Sequence, residues 1–372
     1  MTEEPGDSQA LERARVKIRD TCAADLIRLS EMRQGARAGH QDHGPVRVGA
    51  YGVRLEAPRI YVVSGRPSRG VVRQNVKPDH EEASVEASQI KDQVIGTAHE
   101  AAVARYWNEK QSDAINLLLG QGDGLIHHHY GVGEFDRSIL RLPAEIREKS
   151  LLAELHRMEN RQTEIILNSL GGVGRDGGVL DAGSGRGGTA FMLHDRFGCL
   201  VDGITISTYQ VEFSQRLAHE RGCADKVKFH FQNMLRTSFP DDRFDRVITN
   251  ETTMYVDLFD LYRELARVIK PGGHYVFVTC CITATANSAS PDIQEIDRHY
   301  GCNMHPRSGY FKALVSNDFI PYKVVDLTAQ AIPYWELRTQ SAHRTGIEDV
   351  FLRAYQTRAA NFLLVGAEYL PS

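Results

Sequence analysis

The stretch "VLDAGSGRGGTAFMLHDRF" constrains this chain most strongly. An apolar run ends at Asp181, Gly183, Gly185, Gly187 and Gly188 follow, and amphipathic residues resume at once. A buried strand, a tight turn and a helix satisfy that order, because glycine lets the backbone turn sharply and approach a ligand at the helix N-terminus. The same grammar continues downstream. "CLVDGITISTYQVEFSQRLAHERG" repeats strand then helix, and "KVKFHFQNML" and "RFDRVITNETTMYV" read as further strands. "DLYRELARVIKPGGHYVFVTCC" gives a helix, a Pro-Gly-Gly turn and a strand, while "YKVVDLTAQ" and "AANFLLVGAEYL" supply the last two strands. Strands separated by helices of roughly 10 to 15 residues imply βαβ units and a parallel sheet.

Upstream of this region the texture changes. Residues 1–95 are charged and apolar-poor apart from "RIYVVSG", and read as a partly disordered extension with a helix near residues 8–33. Residues 96–170 are helical in pattern: "AHEAAVARYWNEKQSDAINLLLG", the stretch "GLIHHHYGVG", then the long amphipathic "AEIREKSLLAELHRMENRQTEIILNSLG". A net charge of −4 leaves no electrostatic footprint for nucleic acid or an anionic membrane. No apolar run approaches the roughly 20 residues of a membrane helix. Six cysteines without CxxC spacing and no signal-peptide pattern point to a reduced cytoplasm.

A lone glycine-rich turn also serves dinucleotides. Here, however, the form D-x-G-x-G-x-G, with Asp181 inside the motif, resembles motif I of the class I S-adenosylmethionine-dependent methyltransferases. That resemblance implies a Rossmann-like, doubly wound α/β fold with a mostly parallel seven-stranded sheet in residues 171–372, preceded by the helical lid. It places Asp181, Gly183 and Gly185 along the methionine part of the cofactor. The second strand ends in "GITISTYQ" without the acidic residue many members carry, a departure similar to cyclopropane fatty-acid synthases and other carbon methyltransferases. Their ribose-binding glutamine corresponds to Gln210, and "QNML" puts Asn233 and Met234 at the adenine.

"TNETTMYVD" follows the fourth strand, at the end of the sheet where doubly wound folds hold substrates. A buried Glu251 with no heteroatom proton to remove is expensive unless it faces a cation. Methyl transfer to an alkene carbon generates such a cation. A carboxylate about 4 Å away stabilises it by roughly 4 kcal/mol at an effective dielectric near 20, and it can also accept the proton. The competing reading is that Glu251 caps the next helix.

"ARYWNEK", "INLLLGQGDGLIHHHYGVG", "AELHRMENRQ", "NMLRTSF", "NETTMYVDL", "CNMH", "IPYWELR" and "TGIE" together resemble the prenyl diphosphate carbon methyltransferases, above all those acting at C2 of geranyl diphosphate, over approximately residues 98–368. Members methylate an alkene carbon of an allylic diphosphate, with Mg2+ held by the diphosphate. The resemblance implies Glu251 and Tyr130 as catalytic residues, and Asn116, His127, His128 and His129 near the metal and diphosphate. It further implies Gln162 beside the cofactor and Tyr300 and Trp335 at the substrate. For Trp335 and Tyr334, ordinary core packing is the alternative. Adjacent histidines cannot share one face of an element, so the triplet is poorly arranged to bind one metal directly. Hard Mg2+ prefers oxygen, and one or two of them are expected to reach it through water or diphosphate oxygens, near Asn116 and His127.

Two departures bear on the substrate. This chain has His299 and Tyr300 where the geranyl enzymes carry Phe, and "CCITATANSAS" where they carry tryptophan and tyrosine after the fifth strand. Isopentenyl or farnesyl diphosphate, or another carbon of the chain, therefore stands as the alternative to geranyl diphosphate. Cys280 and Cys281 read as small packing residues. More distant alternatives are a cyclopropane-synthase-like lipid methyltransferase and a non-catalytic S-adenosylmethionine-binding module. A homo-oligomer in terpenoid biosynthesis, with no nucleic-acid or membrane partner, is the expected setting.

Overall fold

A computed structural model of the protein describes residues 94–110, 114–286 and 288–371. The expected N-terminal helix and the "RIYVVSG" run lie outside the described residues. The lid segment contributes α1 (Ala98–Glu109), α2 (Ala114–Leu119) and the 26-residue α3 (Ala144–Ser169), so the first helical stretch forms two helices. Thr97 starts α1 through a capping box: its hydroxyl accepts the Glu100 N–H, and the Glu100 carboxylate accepts the Thr97 N–H.

The α/β part follows in the expected order. It runs β1 (Gly178–Ala182), α4 (Gly188–Phe197), β2 (Leu200–Thr205), α5 (Thr208–Glu220), β3 (Val227–Phe231), β4 (Phe244–Asn250), α6 (Leu258–Val268) and β5 (Ile269–Ile282). Then come α7 (Pro291–Tyr300), α8 (Arg307–Val315), β6 (Phe319–Asp326), α9 (Thr328–Arg338), α10 (Glu348–Gln356) and β7 (Ala360–Tyr369). The Pro-Gly-Gly turn survives as an excursion within β5, where the register with β4 jumps between Phe244↔Ile269 and Arg246↔His274.

The seven strands form one sheet in the order β3-β2-β1-β4-β5-β7-β6. β7 pairs antiparallel with both β5 and β6, and the other pairs are parallel. Side chains alternate along each strand. Val179, Ile248, Val276 and Val278 therefore enter one apolar layer, with Phe191 and Trp335, while Leu180, Val247, Tyr275 and Phe277 enter the layer beneath α6 and α8. Covered on both faces, β1 is entirely buried. The chain moves outward from β1 through β2 to β3 and then returns to β4 on the other side of β1. That reversal opens a crevice at the carboxyl ends of β1 and β4, where open α/β sheets bind ligands. No helix of the described residues is long and apolar enough to cross a membrane.

Candidate active site

The crevice begins with the loop after β1. Gly183 (φ 88°), Gly185 (φ 55°) and Gly187 (φ 89°) all take left-handed backbone conformations. The N–H groups of Gly183 and Ser184 both donate to Ile204 O at 2.9 Å, fixing the loop to β2. A Cβ on Gly183 would stand 2.5 Å from the Thr252 side chain, and one on Gly188 would stand 2.6 Å from the His127 ring. The histidine stretch and the segment after β4 are thus packed directly on the glycine loop.

Around it lies a cavity with about 1290 Å3 of empty space, counting its solvent-open mouth. Asp181, Gly183, Gly185, Gln210, Asn233, Met234, His127, His128, His129, Tyr130, Glu251 and Tyr300 all line it. Twelve residues scattered between positions 127 and 300 in sequence share one chamber. Three expected residues stand behind its wall. Asn116 Nδ2 lies 3.3 Å from His128 Nδ1. Trp335 stacks on Phe351 at 4.3 Å and backs the Tyr130 ring at 4.4 Å. Gln162, fully buried on α3, donates from Nε2 to Asn250 Oδ1 at 2.6 Å and to Glu251 Oε1 at 3.3 Å.

Glu251 is the first residue beyond β4 and holds φ at 54°, a region uncommon for a residue with a side chain. Such strain persists where the surroundings over-determine it. Its N–H donates to Val278 O at 2.9 Å, and Oε1 accepts the Tyr130 N–H at 2.9 Å. Oε2 is buried with no hydrogen-bond partner. Burial pushes this carboxyl up to about 8, against the pull of the Tyr130 N–H and the Gln162 amide. Glu251 does not cap α6, because Asp257 does, accepting the N–H groups of Phe259 and Asp260.

Asp181 is similarly buried, its carboxyl pushed up to about 7, with Oδ2 unpartnered. Burial holds His127 and His128 well below the usual imidazole range, so they are neutral. The histidines do not converge as ligands: His129 Nε2 lies 2.9 Å from His127 Nδ1, and each ring points to different partners. Among the described residues no group of three or more His, Cys, Asp or Glu is arranged to hold a metal ion.

Other wall residues escaped the sequence reading. Glu100, Val103 and Trp107 of α1 line the cavity, and Arg236 grips the Glu100 carboxylate at 2.6 and 2.8 Å. Cys280, Cys302, Met304, Ile296 and Phe351 line it too. Trp107 and Cys302 sit inside the quoted motifs "ARYWNEK" and "CNMH", which were the available signal. Cys281 is core packing, as expected, whereas Cys280 also faces the cavity.

The fold and glycine loop define a Rossmann-like methyltransferase, and a family model for a methyltransferase domain matches residues 179–273. The chain is 45% identical over 276 residues to geranyl diphosphate 2-C-methyltransferase of Saccharopolyspora erythraea, spanning 73% of this chain and 96% of that protein. Among solved structures it resembles geranyl diphosphate C-methyltransferase from Streptomyces coelicolor A3(2), in complex with Mg2+, geranyl-S-thiolodiphosphate and S-adenosyl-L-homocysteine. That match has 41% identity and a TM-score of 0.72, covering 74% of this chain and 99% of that one. A geranyl diphosphate methyltransferase in complex with GPP and sinefungin matches at 42% identity and a TM-score of 0.71, over 73% of this chain and 100% of that one. This chain belongs to the geranyl diphosphate C-methyltransferase family.

Proposed function

We propose that the protein methylates C2 of geranyl diphosphate, using S-adenosylmethionine with Mg2+, to give 2-methylgeranyl diphosphate for terpenoid biosynthesis. The observation that carries this reading is Glu251 Oε2: a buried, unpartnered carboxylate oxygen in the same chamber as Tyr130 and the glycine loop. A cavity lined by a left-handed glycine cradle, Gln210 and Asn233 fits the cofactor, which supplies an electrophilic methyl group when bound. In this reading Asp181, Gly183 and Gly185 pass its methionine part, Gln210 meets the ribose, and Asn233 and Met234 meet the adenine. Among the described residues no group of three or more His, Cys, Asp or Glu is arranged to hold Mg2+, so in this reading the ion arrives on the diphosphate, with His128, held by Asn116, facing it through water or diphosphate oxygens, while His127 keeps both ring nitrogens on Asn160 and His129.

The alkene π pair forms the new C2–CH3 bond while the sulfur–methyl bond breaks, leaving the positive charge on C3. Tyr130 and Tyr300 present aromatic faces to that charge. Their phenols stay neutral, because burial raises both above the usual range. Glu251 offsets the charge and takes the C2 proton, and the C–H pair restores the double bond. Trp335 supports Tyr130 from behind, and Gln162 supports Glu251 beside the cofactor. The exposed Ile320, Tyr322 and Val324 on edge strand β6 support self-association, which sedimentation tests.

The deciding experiment incubates the protein with Mg2+, S-adenosylmethionine and C5, C10 and C15 prenyl diphosphates. Mass spectrometry should show the C10 substrate gaining one methylene unit, and NMR should place the methyl at C2. Gain on the C5 or C15 diphosphate alone sinks the geranyl assignment.

A further inference from the structure

His129 uses both ring nitrogens inside the protein. Nδ1 lies 2.8 Å from Tyr130 O and 3.0 Å from Gln162 Oε1, while Nε2 lies 3.0 Å from Thr163 Oγ1 and 2.9 Å from His127 Nδ1. Two acceptors face Nδ1, so Nδ1 carries the proton and Nε2 accepts the Thr163 hydroxyl. Burial lowers the affinity of this ring for a second proton. With its Oε1 engaged by His129, Gln162 can turn only its amino group toward Asn250 Oδ1 and Glu251 Oε1. The reverse orientation would set its carbonyl oxygen against a carboxylate oxygen. Glu251 Oε1 thereby holds two donors, Gln162 Nε2 and the Tyr130 N–H, and Oε2 holds none.

We propose that His129 is a positioning residue for Glu251: its Nδ1–H fixes the Gln162 amide, which ties down Oε1 and leaves Oε2 as the atom that takes the proton. The inference rests on Glu251 being the base. It gives the middle of "HHHYG" a role other than ligand contact, namely setting the direction of a carboxylate supplied by β4.

The test uses the full-length protein, three probing substitutions and one blank. His129→Phe removes the donor, His129→Asn restores an N–H near the Nδ1 position, and Gln162→Met removes the amide at similar length. In ligand-free protein, infrared difference spectroscopy follows the protonated carboxyl band of Glu251, with Glu251→Gln as the blank. Losing the Gln162 donor removes a stabiliser of the carboxylate, so the titration midpoint should move up by about one pH unit in His129→Phe and Gln162→Met. It should return in His129→Asn. In turnover assays kcat should fall by roughly 10- to 100-fold in the first two, with KM for S-adenosylmethionine unchanged. If His129→Phe does not fold, Gln162→Met tests the same link. An unmoved midpoint in the variants that fold, or an equal shift in His129→Asn, overturns the inference. Wild-type turnover by Glu251→Gln would instead remove the base reading itself.

Discussion

The backbone N–H of Tyr130 donates to Oε1 of Glu251 at 2.9 Å, joining the end of the histidine stretch to the first residue after β4. The segment between α2 and α3 and the sheet are therefore locked together at the carboxylate. In Glu251→Gln the amide oxygen still accepts this bond, so the fold should persist while turnover falls by about 10²- to 10⁴-fold. Circular dichroism and initial rates separate the two effects, and turnover within a few-fold of wild type would count against the assignment.

The same carboxyl predicts a pH signature. Burial raises Glu251 from 4.5 to about 8, so the folded protein keeps a proton that the unfolded chain releases. Its contribution to stability is full below pH 4.5 and is lost as pH rises to about 8. Glu251→Gln should accordingly melt at a higher temperature than wild type at pH 8 to 9, and the two should converge near pH 5. The kcat/KM of the wild type, which reports the free enzyme, should climb as pH rises towards about 8.

Gly183→Ala should weaken cofactor binding and not only the fold. A Cβ at this φ of 88° is strained, and it would meet Thr252 at 2.5 Å in the cavity wall. Backbone strain alone is worth about 1 to 3 kcal/mol. Calorimetry should show the S-adenosylmethionine affinity falling by at least about tenfold. Unchanged affinity would remove the loop from the cofactor site.

Arg236 clamps α1 through a bidentate pair with Glu100, and both Arg236 and Asn233 also bond Val94 O. Burial opposes ionisation of Glu100, but Arg236 and the Gly96 N–H dominate and hold its carboxyl at about 2. The clamp should therefore survive at pH 4 and fail as pH falls towards 2. Because the Arg236 side chain is 40% exposed, screening keeps the pair near 1 kcal/mol. Arg236→Ala should raise the S-adenosylmethionine Kd about fivefold. Trp107, one of two tryptophans, reports loosening of α1 by fluorescence.

Much of this was legible in sequence because βαβ grammar and the glycine loop are local signals: strand order and the Asp181–Gly185 cradle follow from short windows. Motifs singled out Glu251 and Tyr130, but their hydrogen bond was not legible, since pairing between the end of β4 and the histidine stretch depends on how α3 packs. Gln162 shows the same limit. Its motif marked it, yet only the packing of α3 turns its amide toward Glu251 rather than into the cavity. Trp335 likewise gave no sign of whether it lines the chamber or stacks behind Tyr130.

Cys280 gives the last prediction, on chain length. It lines the chamber from β5, with its Sγ 3.8 Å from Met304 Sδ, and burial keeps the thiol well above its usual range and unreactive. A small residue here leaves space for a hydrocarbon tail. Cys280→Phe fills that space at an overpacking cost of about 1 to 3 kcal/mol, which the core should tolerate. Each methylene rejected by an apolar pocket is worth about 1 to 3 kcal/mol, so the C15-to-C10 ratio of kcat/KM should fall at least about tenfold. Cys280→Ala should leave the ratio unchanged or raise it. A folded Cys280→Phe variant with an unaltered ratio would show that the tail does not run towards Cys280 and Met304.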